Sequence, residues 1–180
     1  MKLENELTQK LAILLSNYSH SDNGSDFLKK AIDFIKNGAD INTKDEFGWT
    51  TLTLACDIGC IDSVRLLVEQ GAKVNIKDKH EWTPLLLSLK HKNLELIELL
   101  LKNKADVNAK NKYKNSVLHI ASTVSNSKIV QLLIDYGADT SVKNMNNETP
   151  ADWAFSENRR KIMQVLEENN SSKAYNSDFC

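Results

Sequence analysis

The stretch Gly38-Ala39-Asp40-Ile41-Asn42 decides the fold, because versions of it recur at a fixed distance along the chain. The later copies follow at steps of 33 residues and read Gly71-Ala72-Lys73-Val74-Asn75, Lys104-Ala105-Asp106-Val107-Asn108 and Gly137-Ala138-Asp139. A column of hydroxyl side chains keeps the same step at Thr50, Thr83, Ser116 and Thr149. A period held in several independent columns indicates repeated structural units.

Each repeat predicts two short helices. The Ser/Thr column supplies side-chain oxygens that can cap the first helix, and Pro84 and Pro150 follow at the first helical position, where a missing N–H costs nothing. The second helix carries a cluster of apolar residues that one helix pair cannot bury alone. Gly38, Gly71 and Gly137 are expected to end the second helices in a left-handed conformation. Because one helix pair cannot bury its apolar cluster, neighbouring repeats must cover the apolar faces of one another.

This pattern resembles the ankyrin repeat, whose motif reads T-P-L-H-x-A at the first helix and G-A-D-x-N after the second. The matching stretches are Thr83-Pro84-Leu85, Ser116-Val117-Leu118-His119-Ile120-Ala121 and Thr149-Pro150-Ala151-Asp152-Trp153-Ala154. The resemblance implies an all-α solenoid of helix-turn-helix units with short turn or hairpin tips. It also implies that His119 hydrogen-bonds backbone to brace a turn.

The resemblance further implies how the chain is divided. We expect a divergent N-terminal capping repeat at 1–44, ankyrin repeats at 45–77, 78–110 and 111–143, a C-terminal capping repeat at 144–168 and a disordered tail at 169–180. Terminal helices are expected at 3–18, 27–36 and 158–168. The unit 78–110 has Glu81, Lys92 and Lys104 where the family prefers glycine. Since a left-handed non-glycine residue costs roughly 1 kcal/mol, we expect the turns at Lys92 and Lys104 to be altered or mobile.

Composition and charge exclude several classes of protein. Lys and Arg total 23 against 24 Asp and Glu, a net charge of -1, so no basic excess predicts nucleic-acid binding. No apolar run is long enough to span a bilayer, and acidic residues stand where a signal peptide is basic. The three cysteines fit a reducing compartment better than a disulfide framework. We expect a soluble, cytoplasmic monomer that binds no membrane, and leave open export by a route that needs no cleaved signal.

Motifs for catalysis are absent from the sequence. It contains no nucleotide-binding glycine loop, no H-E-x-x-H and no G-x-S-x-G. The pair Cys56-x-x-x-Cys60 has no second pair of ligands nearby, and Cys56 is interpreted as a packed core thiol. Asp57, Lys90 and His91 are expected at exposed first-helix positions, but a catalytic group of the three is disfavoured because stacked helices would separate them. We expect no enzyme, no cofactor and no metal.

The surface available for recognition consists of the turn tips and the exposed side of the first helices, where the resemblance also points. The candidate residues for partner binding are Phe47, Trp49, Lys79, His80, Trp82, Lys90, His91, Lys112 and Tyr113. Aromatic side chains on otherwise polar tips are typical of interface hot spots. The alternative for Trp49 and Trp82 is that each covers the neighbouring turn.

A column of lysines, Lys44, Lys77, Lys110 and Lys143, has two interpretations. It forms an edge that steers acidic partners, or lysine is simply common at this turn position. The sequence therefore predicts an adaptor or scaffold that binds a protein partner through its tips and its concave first-helix face. The alternative is a regulatory or inhibitory subunit that blocks a partner enzyme.

Overall fold

The computed structural model describes residues 2–18 and 23–177, and the side chains of 4–18 and 23–169. Within these residues the chain forms ten α-helices and one 3-10 helix and contains no strand. The α-helices are α1 (Lys2–Ser16), α2 (Gly24–Lys36), α3 (Thr51–Ile58), α4 (Ile61–Glu69), α5 (Pro84–Ser88), α6 (Leu94–Lys102), α7 (Val117–Val124), α8 (Ser127–Asp135), α9 (Pro150–Ser156) and α10 (Arg160–Ser177). The 3-10 helix is Leu89–His91. The all-α repeat fold that the resemblance implied is confirmed.

The chain divides into two compact units, Met1–Ser88 and Leu89–Cys180. In unit 1, α1 packs on α2, α2 on α3, and α3 on both α4 and α5. The apolar stripe of each helix is buried between its neighbours, as Leu11, Leu28, Leu52, Val64 and Leu67 show. Each helix pair thus gains from the next the apolar cover that it lacks alone.

Unit 2 repeats the same packing. Helix α7 contacts the 3-10 helix, α8 and α9, while α8 contacts α6 and α10. Its interior consists of fully or almost fully buried aliphatic side chains: Leu96, Ile97, Leu100, Val117, Leu118, Ile129, Val130, Leu133, Ile162 and Leu166. The predicted stripe of the second helices supplies several of these residues.

The first helices begin at the predicted caps. The Oγ1 atom of Thr50 accepts the N–H of Thr53 at 3.2 Å, and Oγ of Ser116 accepts the N–H of His119 at 3.3 Å. Thr83 and Thr149 do the same for the third residue of α5 and α9. Each hydroxyl thereby satisfies an N–H that has no partner inside its helix. The local sequence at these four positions fixes where the first helices begin.

The second helices end in left-handed residues, as predicted for Gly38, Gly71 and Gly137, whose φ angles are 104°, 91° and 90°. Lys92 and Lys104 also adopt left-handed conformations, with φ of 53° and 65°. At Lys104 the conformation of the turn is kept despite the side chain, so the expectation of an altered turn is wrong there. Before Lys92 the first helix ends in the 3-10 segment Leu89–His91, whereas α3 stays α-helical up to Gly59, so this turn is altered as expected. The alternative, that these turns are mobile, stays a prediction.

The terminal helices differ in length from the expected ones. Helix α2 begins at Gly24 rather than at 27, and α10 continues to Ser177, beyond the boundary expected at 168. Most of the segment assigned to a disordered tail is thus helical here, a correction to that assignment. Residues 169–177 contain no proline or glycine, so their composition permits the helix to continue. Residues 178–180 lie outside the described part of the chain.

Candidate functional site

The turn tips are narrow hairpins closed by one side chain. In the first tip, Oδ1 of Asp45 accepts the N–H groups of Phe47 and Trp49 at 2.8 and 2.7 Å. The backbone N–H of Asp45 donates to the carbonyl of Trp49 at 2.9 Å. The other tips keep this arrangement around Asp78, Asn111 and Asn144, again 33 residues apart. These Asp and Asn side chains hold the tips in one conformation.

Sequence reasoning missed this column, although its signal is visible. An Asp or Asn stands four residues before each member of a second column, which consists of Trp49, Trp82, Asn115 and Glu148. Just before that column, each tip contains one left-handed residue: Gly48, Glu81, Lys114 and Asn147. An Asp or Asn oxygen followed by a left-handed residue is the pattern of a tight turn. In each tip, the two side chains between the Asp or Asn and the left-handed residue are exposed.

Unit 1 brings together five predicted site residues in two adjacent tips. The N–H of Lys79 donates to the carbonyl of Phe47 at 2.9 Å, which joins one tip to the next. Phe47 is 52% exposed, Lys79 and His80 are exposed, and Trp49 and Trp82 are half-buried. Phe47 is therefore held by its backbone while about half of the residue stays exposed to solvent.

The two tryptophans in these tips have roles in packing. The ring of Trp49 lies 6.3 Å from that of Tyr18, and the backbone N–H of Trp49 is held by Asp45. Trp82 repeats the backbone contact with Asp78 at 2.8 Å. The half-burial of both side chains, and for Trp49 the contact with Tyr18, favour the interpretation that these rings support their tips.

Gly48 is required where the two tips meet. Its φ is 86°, and a Cβ atom there would lie 3.0 Å from Cα of Asp78. The close approach of two backbones thus adds to the conformational reason for glycine.

Unit 2 brings together the remaining predicted site residues only in part. The N–H of Met145 donates to the carbonyl of Tyr113 at 3.1 Å, which repeats the link between tips. The ring of Tyr113 is 54% exposed, and the ammonium group of Lys112 lies 5.0 Å from its centroid. Lys90 is exposed and His91 half-buried in the 3-10 helix, away from the tips in the sequence. Met145, 64% exposed, is a tip residue that the predicted site left out.

The lysine column makes contacts within unit 1. Nζ of Lys44 donates to the carbonyl of Lys77 at 3.3 Å, and Nζ of Lys77 forms an ion pair with Glu81 at 3.0 Å. Both ammonium groups therefore interact with their own fold. For Lys44 and Lys77 these contacts weaken the interpretation that the column steers acidic partners.

Among the titratable groups, His119 is structural, as the resemblance implied. Its Nε2 atom lies 2.9 Å from the carbonyl oxygen of Glu148, and the N–H of Ser116 lies 3.2 Å from Nδ1. The ring is completely buried, and this burial lowers its pKa below 6.5 against the opposing effect of the Glu148 carbonyl. It is therefore neutral near pH 7, with the proton on Nε2.

Two residues near the centre of unit 1 are inaccessible. Asp57, considered above as an exposed first-helix position, is 5% exposed, so that placement is wrong. It falls within the buried run Thr51–Asp57 of α3. Cys56 is fully buried, as expected of a core thiol, and burial followed by the charge of Asp57 raises its pKa. The thiol is thus kept protonated and unreactive.

Two further features bear on the kind of site. Within the described residues, no group of three or more His, Cys, Asp or Glu side chains could hold a metal ion. No helix in the same part of the chain is long and apolar enough to cross a bilayer.

Comparisons with known proteins bear on the repeats. A family model for ankyrin repeats in three copies matches residues 18–111, more than half of the 180-residue chain. A second model, for ankyrin repeats in many copies, matches residues 100–154. No curated protein matches the chain with significance.

Proposed function

Because the chain belongs to the ankyrin-repeat family, whose repeats generally bind other proteins, we propose that it recognises a protein partner through its turn tips and neighbouring first-helix residues. Ankyrin-repeat proteins are typically binding modules without enzymatic activity. The proposal concerns which surface is used, and it applies to the tips of each unit separately.

The observation that carries the proposal is the exposure of Phe47 and Tyr113 on rigid backbone. Each residue is about half exposed, yet its backbone is held at two points. The backbone N–H donates to the Asp or Asn of the same tip, and the backbone carbonyl accepts an N–H of the next tip. A large aromatic side chain on a fixed backbone loses little conformational freedom on binding. Exposed aromatic residues held in this way support a role as anchors for a partner.

Charge around the anchors favours an acidic partner. Lys79 is exposed beside Phe47, and Lys112 is exposed beside Tyr113. Lys90 adds a further exposed ammonium group in unit 2. Charges at the rim of an interface raise the association rate more than they raise affinity. We therefore expect binding that weakens at high salt chiefly through a slower association rate.

The experiment compares the anchors with matched exposed residues elsewhere. Affinity capture uses the wild-type chain, the double variant Phe47→Ala/Tyr113→Ala, and the control Ile13→Ala/Tyr136→Ala, whose side chains are 62% and 39% exposed outside the tips. The proposal predicts that the tip variant loses the partner and the control retains it, with unchanged circular dichroism in both. Equal recovery with both variants would show that the proposed surface is wrong.

The same captured partner separates an adaptor from an inhibitor. If the partner is an enzyme, its turnover is measured with and without the purified chain. An adaptor leaves turnover unchanged and brings the partner to another molecule, whereas an inhibitory subunit lowers turnover in proportion to its occupancy.

A further inference from the structure

A cavity of about 190 Å³ opens beside the first tip of unit 1 and is lined by Leu15, Tyr18, Asp45, Phe47 and Trp49. We propose that this cavity is an aromatic cage that binds the methylated ammonium group of a lysine side chain on a partner protein. The inference rests on the proposed function, since it names the group that this tip recognises.

Aromatic rings form most of the lining. Tyr18 and Trp49 have centroids 6.3 Å apart and planes inclined by 38°, and Phe47 borders the same cavity. The rings of Tyr18 and Phe27 also pack against each other in a T-shaped arrangement, with centroids 5.7 Å apart, which supports the orientation of the Tyr18 ring. The faces of such rings carry negative electrostatic potential and attract cations, quaternary ammonium groups included. Three rings around one small volume therefore favour a positively charged occupant.

Asp45 adds a carboxylate to the lining. Its Oδ1 atom is fixed by the N–H groups of Phe47 and Trp49, so the position of the carboxylate is set by the tip itself. Leu15, 3% exposed, contributes an apolar wall. A methylated ammonium group loses less hydration on entering such a site than an unmethylated one, because its methyl groups replace N–H donors. The cavity should accordingly prefer the methylated form.

The size of the cavity suits one side-chain head group. Drug-sized ligands occupy pockets of about 300–1,000 Å³, well above this volume. A lysine side chain presented by a protein can enter end-on while the partner contacts the exposed part of Phe47. The cavity therefore fits a modified side chain better than a whole free ligand.

A second cavity, in unit 2, differs from this one in the polar side chains that line it. It measures about 160 Å³ and is lined by Tyr113, Asn115, Asn144, Met145, Asn146 and Trp153. Its polar side chains are neutral amides, whereas the cavity in unit 1 has a carboxylate. We expect the preference for cations in unit 1 alone.

The test measures binding of small probes by NMR titration of the full chain. The probes are Nα-acetyl-trimethyllysine amide, the same compound with unmodified lysine, and a neutral analogue in which carbon replaces the quaternary nitrogen. The inference predicts that the trimethyllysine probe binds with a millimolar dissociation constant and shifts the Phe47 and Trp49 resonances. The other two probes are predicted to bind roughly tenfold more weakly. Equal binding of the charged and neutral analogues would overturn it, as would the absence of shifts at these residues.

Two matched variants isolate the carboxylate. Asp45→Asn removes the charge but keeps the oxygen that closes the tip, since Asn111 and Asn144 close their tips in this way. Asp78→Asn makes the same change in the neighbouring tip, outside the cavity lining. The expected result is roughly tenfold weaker binding in Asp45→Asn and no change in Asp78→Asn. Unchanged binding in Asp45→Asn would contradict the cage.

Two further arms identify the source of the cation and separate the two proposals. Preferential binding of phosphocholine vesicles over the trimethyllysine probe would overturn the assignment to a protein side chain. Because the probes contain no partner protein, a failed titration refutes the cage while leaving capture through Phe47 and Tyr113 unaffected. Conversely, probe binding together with unimpaired capture by the tip variant would refute the proposed surface and retain the cage.

Discussion

The Nε2 atom of His119 donates to the backbone carbonyl of Glu148 across 2.9 Å, linking α7 to the following tip. The same carboxylate-bearing residue accepts the indole N–H of Trp153 at its Oε2 atom, also at 2.9 Å. The rings of Trp153 and His119 pack in a T-shaped arrangement, with centroids 5.5 Å apart and planes at 84°. These three side chains join two consecutive repeats of unit 2.

Replacing His119 by Leu should destabilise unit 2. The substitution leaves the carbonyl of Glu148 and the N–H of Ser116 without these bonds, and unpaired buried polar groups cost about 1–3 kcal/mol. Hydrogen exchange of amides in α7 and α8 measures the loss. His119→Gln, which retains a donor, is the control and should lose less. Equal protection of the Leu variant and the wild type would contradict the bracing role.

Stability of unit 2 should depend on pH through His119. Burial lowers the pKa of His119 below 6.5 in the folded chain, so the unfolded chain binds the proton more tightly. The contribution of this residue is complete above pH 6.5 and is lost as the pH falls below that value towards the folded pKa. Urea denaturation at pH 7.5 and 5.5 checks this. If the free energy of unfolding falls as much between pH 7.5 and 5.5 in His119→Leu as in the wild type, the pH dependence comes from other groups.

The Asp and Asn column should determine the stability of the tips. Asp78→Ala removes the oxygen that accepts the N–H groups of His80 and Trp82, and we expect a loss of about 1–3 kcal/mol. Asp78→Asn keeps the acceptor and should cost less than about 0.5 kcal/mol, as surface substitutions usually do. Urea titration of unit 1 distinguishes the two. Similar losses in both variants would mean that charge, not the acceptor, holds the tip.

Lys104→Gly should stabilise unit 2, because the φ of Lys104 is 65° and a left-handed non-glycine residue is strained by roughly 1 kcal/mol. The reverse change, Gly137→Ala, should destabilise by a similar amount. A Cβ atom at Gly137 meets nothing within 4 Å, so that effect comes from the backbone alone. Thermal unfolding measures both. A lowered midpoint in Lys104→Gly would indicate that the side chain contributes more than the strain costs.

The sequence predicts most of this fold, because the decisive interactions are local. Capping by Ser116 or Thr149 and the left-handed ends at Gly38 and Gly137 depend on residues within a few positions of one another. A 33-residue period then determines which elements are neighbours. The length of α10 was not predicted, since its last part lacks an apolar period and only the absence of breakers permits it.

The candidate site is less accessible to sequence reasoning. The exposure of Phe47 and the half-burial of Trp49 depend on contacts with Tyr18 and the next tip, which no local pattern contains. For Asp57 the expectation failed in the opposite direction. A charged residue on a first helix suggests exposure, yet Asp57 is buried. The identity of the partner depends on a second surface that complements this one in shape and charge, so it does not follow from this sequence.

Site-specific photocrosslinking tests most directly whether the tips contact the partner. Benzoylphenylalanine is placed at Phe47 and Tyr113, and in parallel at the exposed controls Ile13 and Tyr136. The proposal predicts that the two tip positions crosslink to the same protein and that the controls yield little or none. Crosslinks to that protein from Ile13 or Tyr136, with none from the tips, would contradict recognition by the tip surface.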